Sequence, residues 1–328
     1  MSGNHNQNFE KAKKIIDEAA KSGVDAIKLQ TYTADTITID CNNEYFKVEV
    51  NDAWKGKTLY ALYEWAYTPW DWQPKLKKYA ESKGLIFFST PFDESAVDFL
   101  DDMEVQLYKV ASFEINHIPL LKKIASTKKP VILSRGMSSE RDIDLAVKTL
   151  KDNGCSVIAI LHCVSSYPAK PEQMNIKTIA DISKRFDVVS GLSDHTLTNE
   201  IALASVALGA NIIEKHLTLS RKDGGPDAAF SLEPNELKEL VNSIRNVEKA
   251  LGEVTYDISG KELENIVFRR SIFVVKNIRK NEEFNKNNIR IIRPGYGMHP
   301  KFYEETIGKK SKGNLKRGTP LRKEDIVE

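Results

Sequence analysis

The sequence predicts an α/β fold: a (β/α)8 TIM-type barrel whose first strand is truncated, followed by a small β-rich domain. Three observations predict it. Short apolar runs alternate with amphipathic stretches from Phe9 to Glu253, as in repeated βα units with a parallel sheet. Small and polar residues collect where the apolar runs end. The length of 328 residues fits one barrel of about 250 residues and a small extra module.

Seven apolar runs are predicted to be strands, since most are bounded by glycine or polar turn residues. They span residues 25–31, 85–90, 107–111, 131–134, 157–162, 188–191 and 211–216. The predicted helices span residues 9–22, 70–83, 118–126, 140–153, 175–185, 199–208 and 235–251. An eight-stranded barrel needs one more strand, ending near residues 2–6. We therefore expect the first strand to be missing from this chain.

The periodic pattern stops after Gly252, which sets the predicted domain boundaries. We predict the barrel over residues 1–255, a linker over 256–268 and the β-rich domain over 269–328. The last segment holds 16 Lys and Arg against seven Asp and Glu. Because acidic and apolar residues interrupt these basic residues, we interpret them as a solvated face and expect no nucleic-acid partner.

Composition indicates a water-soluble enzyme-sized protein, with 41% hydrophobic and 29% charged residues. The three cysteines show no C-x-x-C spacing, and an odd number favours a reducing cytoplasm. No apolar run approaches the roughly 20 residues that span a bilayer, and the first 30 residues do not resemble a signal peptide. We expect a cytoplasmic protein without a membrane partner.

Two histidines follow neighbouring predicted strands, in Ser193-Asp194-His195 and Glu214-Lys215-His216. Adjacent strand ends would bring their imidazoles together. Two imidazoles with open positions beside them suit a divalent ion such as Mn²⁺ or Mg²⁺. The alternative is that one histidine caps a helix and the other packs in the rim, which the spacing alone favours slightly.

Two lysines, Lys28 and Lys109, lie inside otherwise apolar strands, where an unpaired ammonium group is costly. We expect them to meet the phosphate and carboxylate of a small ligand, or alternatively a rim carboxylate such as Glu114 or Glu214. Hydroxyl groups at strand ends would add donors: Ser112, Ser134, Ser165 and Ser193. The polar loop at residues 221–227 is predicted to cover the barrel mouth.

Six motifs together resemble the sialic-acid synthase family over nearly the whole chain. They are Ser-Gly-Asn-His-Asn-Gln (2–7), Lys-Leu-Gln-Thr-Tyr (28–32), Ser-Thr-Pro-Phe-Asp (89–93), Tyr-Lys-Val-Ala-Ser (108–112), Gly-Leu-Ser-Asp-His-Thr (191–196) and Ile-Glu-Lys-His (213–216). The loop at 224–234, with the opening motif, is most similar to the pseudaminic acid branch. The segment 292–297 resembles the antifreeze-like (SAF) domain that ends these enzymes.

The resemblance implies an enzyme that condenses phosphoenolpyruvate with an acylated amino-sugar at a divalent metal held by His195 and His216. It also implies a domain-swapped homodimer in which Arg293 of one subunit reaches the sugar in the other. The residues matching the phosphoenolpyruvate site are Lys28, Lys109, Ser112, Ser134 and Ser193, with Thr90 and Ser165 as further matches. The residues matching positions near the sugar are Gln30, Tyr167 and Asp227.

Three departures from the family pattern affect these expectations. Arg135 stands where a small hydroxyl residue is usual, and Ser165 where asparagine is frequent. A family glutamate two positions before Ser2 is absent, which predicts weak or no turnover. Two alternatives therefore stay open: a synthase making N-acetylneuraminic or legionaminic acid, and an inactive scaffold that binds the sugar and phosphoenolpyruvate.

Overall fold

The structure is a computed structural model that describes residues 1–49 and 54–327. The chain divides into two compact units, Met1–Gly252 and Glu253–Glu328. The first unit contains one parallel sheet whose seven strands are hydrogen-bonded in sequence order. The strands are β1 (Ala26–Thr31), β2 (Ile86–Pro91), β3 (Tyr108–Val110), β4 (Val131–Ser134), β5 (Ile158–Cys163), β6 (Val189–Asp194) and β7 (Ile212–Lys215).

Ten α-helices accompany these strands in the described part of the first unit. They are α1 (Phe9–Ser22), α2 (Ala34–Ile37), α3 (Leu59–Ala66), α4 (Gln73–Ser82), α5 (Glu94–Asp102), α6 (Ile118–Ser126), α7 (Glu140–Asp152), α8 (Thr178–Phe186), α9 (Glu200–Ala207) and α10 (Pro234–Leu251). The predicted strands all appear, displaced by at most a few residues. Helices α2, α3 and α5 were not predicted; α2 has only four residues, which is too short to show apolar periodicity.

Local sequence explains where the helices start and stop. The side chain of Asn8 accepts a hydrogen bond from the Lys11 amide at the start of α1. The same helix ends at Gly23, whose φ of 82° suits a residue without a Cβ. At α7 the Ser139 hydroxyl and the Asp142 carboxylate cap each other's amides. Such caps fix each helix relative to the strand that it follows.

The strands are buried in the manner of a barrel sheet covered by helices. All six residues of β5 are buried, as expected for a parallel strand with both faces covered. Apolar residues of the helices pack on the sheet, including Ile15 and Ile16 of α1, Leu120 and Leu121 of α6 and Leu240 of α10. This core holds the carboxyl ends of the strands at one edge.

The eighth barrel position does not contain a strand in the part of the chain that the structure describes, as the sequence predicts. Residues Ser2–His5 instead form a buried 3-10 helix. The outer strands of the sheet are β1 and β7. A cavity of about 420 Å³ is lined by residues of both strands and by apolar side chains of α1 and α10.

The second unit has its own small core. Strands β8 (Ser271–Val274) and β9 (Ile289–Ile292) pair antiparallel, and α11 (Lys261–Asn265) and α12 (Tyr303–Thr306) flank them in sequence. The core comprises six buried side chains: Ile272, Val274, Ile278, Phe284, Ile289 and Leu321. Along the described residues of both units, no helix combines the length and the apolar character needed to cross a bilayer.

Candidate active site

The carboxyl ends of β6 and β7 bring the two predicted histidines together. His195 follows β6 and His216 follows β7, and their ring centres are 5.5 Å apart. Neither residue is the N-cap of a helix that the structure describes. The helix-capping alternative therefore does not account for this pair.

The hydrogen bonds and burial of these rings suit a metal ligand. His195 Nδ1 lies 2.9 Å from the Val164 carbonyl oxygen, so that nitrogen carries the proton and Nε2 keeps its lone pair. Burial lowers the pKa of His195 and lowers that of His216 well below its usual value, with the neighbouring imidazole and Lys28 adding to the effect at His216. Neutral imidazoles, with the tautomer of His195 fixed by the Val164 carbonyl, fit a divalent ion. Two imidazoles occupy only part of the coordination shell of such an ion and would leave positions for water or substrate.

One predicted lysine is paired with a rim carboxylate. Lys28 Nζ lies 2.7 Å from Glu214 Oε1, and the Ser193 hydroxyl donates to the same oxygen at 3.0 Å. Burial alone would raise the pKa of Glu214, but the charges of Lys109 and Lys28 hold that pKa well below its usual range. Of the two partners expected for Lys28, a bound anion or a rim carboxylate, the structure shows the rim carboxylate Glu214.

The other lysine has no carboxylate partner among the described residues. Lys109 is 1% exposed, and its Nζ donates to Ser134 Oγ at 2.6 Å and to the Val110 carbonyl at 2.8 Å. Burial lowers the pKa of Lys109 to about 8. A buried ammonium group with two neutral acceptors favours an anion, because a bound negative charge would offset its desolvation.

Further hydroxyl groups lie beside Lys109 in the rim. The Ser112 and Ser165 hydroxyls are 3.0 Å apart. The backbone of Gly136 approaches them so closely that a Cβ there would lie 2.3 Å from Ser112 Cβ. Thr90 is buried at the end of β2, where it is the register partner of Gln30 on β1. The predicted donors thus belong to successive strand ends of one rim.

Two of the three residues predicted to lie near the sugar, Tyr167 and Asp227, lie close to the histidines, whereas Gln30 pairs with Thr90 on β2. The Tyr167 ring is 4.4 Å from the His195 ring and 5.0 Å from that of Phe230. Asp227 Oδ2 lies 3.9 Å from His216 Nδ1, and burial raises the pKa of Asp227. These positions agree with the prediction that the loop after β7 covers the strand ends. Arg293 follows β9 in the second unit and is exposed, and its predicted role stays a prediction.

Two features of the rim were not among the predicted site residues. Glu114 Oε2 is buried without a hydrogen-bond partner among the described residues, and burial raises the pKa of Glu114 to about 7. Its position two residues after Ser112 was the available signal. Phe230 packs against both imidazoles, with ring centres 6.0 and 5.0 Å away, but an apolar residue in a long loop gives no such signal.

A parallel barrel-type sheet with buried imidazoles, lysines and carboxylates gathered at its carboxyl edge is typical of an enzyme of the barrel class. The chain belongs to the NeuB family, whose model matches residues 15–256, and residues 269–327 match the SAF domain. These matches confirm the predicted sialic-acid synthase resemblance and the antifreeze-like domain.

Known relatives are similar over almost the full length. The chain is 39% identical to a pseudaminic acid synthase of Campylobacter jejuni over 326 residues, covering 99% of this chain and 95% of the relative. It is 36% identical to an N,N'-diacetyllegionaminic acid synthase of the same organism, covering 97% and 96%. The crystal structure of an N-acetylneuraminic acid synthetase from Leptospira borgpetersenii superposes with a TM-score of 0.69 at 35% identity, covering 80% of this chain and 87% of that one.

Proposed function

We propose that this enzyme condenses phosphoenolpyruvate with 2,4-diacetamido-2,4,6-trideoxy-L-altrose and water, giving pseudaminic acid and phosphate, at a divalent metal site. The observation that carries the proposal is the rim itself. Two neutral imidazoles at the ends of β6 and β7 lie beside a lysine and serine cluster suited to an anion. A cation site and an anion site side by side fit a reaction between an oxygen-rich acceptor and a phosphorylated acid.

The residues divide the chemistry between them. His195 and His216 would hold Mn²⁺ or Mg²⁺, which supplies polarisation of the open-chain sugar's aldehyde oxygen. Lys28, Lys109 and the hydroxyls of Ser112, Ser134 and Ser193 would hold the phosphate and carboxylate of phosphoenolpyruvate. Thr90 and Ser165 extend this set, and Gln30, Tyr167 and Asp227 face the sugar. Fixing both reactants in this way supplies the attack geometry.

The bond changes follow from the two substrates. The methylene carbon of phosphoenolpyruvate forms a bond to the aldehyde carbon, and the aldehyde oxygen takes up a proton. Water adds to the adjacent cationic carbon and loses a proton. The hydroxyl group of the resulting tetrahedral centre then gives its proton to the departing phosphate as the bond to the phosphate oxygen breaks, which leaves the ketone of a nine-carbon 2-keto acid. The lysines offset the negative charge of the departing phosphate.

The choice of acceptor sugar in this proposal is based on sequence identity to known synthases. Identity to the pseudaminic acid synthase of Campylobacter jejuni is 39%, against 36% to the diacetyllegionaminic acid synthase of that organism. The small difference keeps a legionaminic acid synthase as the second candidate, and N-acetylneuraminic acid as a third product of the same reaction. A folded protein that binds both substrates without releasing phosphate is the candidate of another class.

We also propose that the enzyme acts in the cytoplasm as a domain-swapped homodimer. Val254 and Tyr256, which precede the small second core, are 95% and 96% exposed. Large apolar side chains at such exposure favour burial against a second copy of the chain. Cys41, Cys155 and Cys163 are free thiols, as is usual in a reducing compartment.

The test is phosphate release from phosphoenolpyruvate with Mn²⁺ and each acceptor in turn. The diacetamido-trideoxy-altrose, N-acetylmannosamine and the acceptor of the legionaminic relatives are assayed separately. Of the three acceptors, only the altrose derivative is expected to give phosphate release, at a low rate if the absent family glutamate is needed for turnover. A preference for another sugar would replace the proposed product, and binding of both substrates without phosphate release would support the non-catalytic scaffold.

A further inference from the structure

A buried ion pair lies immediately behind the two imidazoles. Lys215 Nζ is 2.9 Å from Asp194 Oδ2, and the two side chains are 4% and 0% exposed. Asp194 on β6 is the register partner of Lys215 on β7. The pair therefore joins the last residues of the two strands that lead to His195 and His216.

Strand alternation places this pair on the face opposite the site. Ser193 and Glu214 face each other across the site, since the Ser193 hydroxyl donates to Glu214 at 3.0 Å. Successive side chains of a strand point to opposite faces. Asp194 and Lys215, each one residue further along, therefore point toward the helix layer. From that layer their side chains do not reach a ligand bound at the rim. They act on the imidazoles through the backbone.

Additional hydrogen bonds tie the pair around His195. Asp194 Oδ1 accepts from the Thr196 amide at 2.8 Å, and Lys215 Nζ also donates to the Thr196 carbonyl. The residues on both sides of His195 are thus fixed to β7. The His195 carbonyl also accepts from the Ala169 amide at 3.1 Å.

A buried ion pair is weak evidence for added stability, because desolvation offsets much of the attraction. Its distinguishing effect is on geometry, since ammonium and carboxylate groups require defined partners and directions. Apolar or neutral groups of similar size would fill the same space without imposing that geometry. Replacing the pair should therefore change the geometry of the site more than it changes the free energy of unfolding.

We propose that Asp194 and Lys215 are positioning residues whose ion pair fixes the ends of β6 and β7 so that the two imidazoles converge. This inference rests on the metal site of the proposed function. Residues that orient metal ligands typically change metal affinity by about 10- to 100-fold when they are replaced. We expect a loss of that size when the pair is neutralised.

The test compares the full-length parent with an Asp194→Asn/Lys215→Met double variant. Both proteins are freed of metal with a chelator, and Mn²⁺ binding is measured by electron paramagnetic resonance. The double variant contains no unpaired buried charge, and asparagine can still accept from the Thr196 amide. We expect a similar unfolding midpoint and Mn²⁺ affinity lowered roughly 10- to 100-fold. An Asp98→Asn/Lys123→Met variant of the exposed pair between α5 and α6 is the matched control, and it should bind Mn²⁺ like the parent.

A second measurement keeps the two proposals distinguishable. Ring ¹⁵N resonances of the six histidines report tautomer and order without any metal. We expect changes confined to His195 and His216 in the double variant, and partial recovery of Mn²⁺ affinity in a Lys215→Arg single variant that keeps the charge. A parent that binds no Mn²⁺ would overturn the metal site, and the histidine spectra would still decide the positioning role. Unchanged spectra and unchanged affinity in a folded double variant would overturn that role.

Discussion

The β6–β7 side of the barrel rim and its β3–β5 side differ in how their charges are satisfied. On the first side, Glu214 pairs with Lys28 at 2.7 Å and Asp194 pairs with Lys215 at 2.9 Å. On the second side lie Lys109 and Glu114, neither of which forms an ion pair with a described residue. On the first side each charged group has a partner of opposite charge, and on the second side charged groups are buried at a cost.

This difference suggests two roles: the paired charges position the imidazoles, and the unpaired charge of Lys109 is available to an anionic ligand. Paired groups hold the imidazoles at a fixed separation, which suits a site whose ligand is a cation with strict geometry. The isolated ammonium group of Lys109 is destabilised by burial, and its pKa of about 8 expresses that cost. An anionic ligand would remove part of the cost, so binding energy is available on the unpaired side.

The largest expected effect on turnover comes from removing one of the two histidines on the β6–β7 side. His195→Ala or His216→Ala removes one of two nitrogen donors, and we expect turnover to fall by about 10³-fold or more. Phosphate release at saturating Mn²⁺ measures it. His117→Asn is the control, because His117 is an exposed N-cap of α6 and asparagine can still accept from the Leu120 amide. Turnover near that of the parent in either alanine variant would remove the two-histidine site.

The sequence predicted the strand ends well because each strand is a short, mainly apolar run with polar residues at its end. His195, His216, Lys28 and Lys109 could be placed at one rim from that pattern alone. What it could not predict was the choice of partner for each lysine. Lys28 and Lys109 occupy similar apolar surroundings in sequence, yet only Lys28 reaches a carboxylate.

Tertiary packing also decided features that have no local pattern. Phe230 contacts both imidazoles from a loop that the sequence marks only as polar and glycine-rich. Glu114 Oε2 is buried without a hydrogen-bond partner among the described residues, although glutamate in a loop is usually solvated. The sequence names Glu114 as a rim carboxylate, but its missing partner and the contacts of Phe230 follow only once neighbouring strand ends have been brought together.

A comparison of Lys28→Met with Lys109→Met sharpens the contrast between the two sides. Lys28→Met leaves Glu214 buried without its ion-pair partner, which should destabilise the first unit by about 3 kcal/mol. Lys109→Met removes a desolvated charge but also one of the two charges that hold Glu214 ionised, so the net change in stability should be smaller, within about 1 kcal/mol of the parent. Urea unfolding at pH 7 measures both. If Lys109→Met destabilised the protein more than Lys28→Met, Lys109 rather than Lys28 would be the lysine whose charge is paired.

The smallest effect is a pH dependence of anion binding on the unpaired side. Burial lowers the pKa of Lys109 to about 8 in the free protein. Well below pH 8, Lys109 is therefore fully protonated and attracts an anion. This charge is lost as the pH rises through about 8. Phosphoenolpyruvate affinity should fall up to about tenfold per pH unit above pH 8, as measured by calorimetry between pH 7 and 9.5.

The conservative variant Lys109→Arg separates this titration from general effects of alkaline pH. Arginine stays protonated throughout the range, so affinity in that variant should be lower at pH 7, because its planar head fits the site poorly, but nearly constant to pH 9.5. An equal decline in parent and variant would assign the titration to another group. A flat profile in the parent would mean that Lys109 keeps its proton, and with it the charge that makes this side of the rim an anion site.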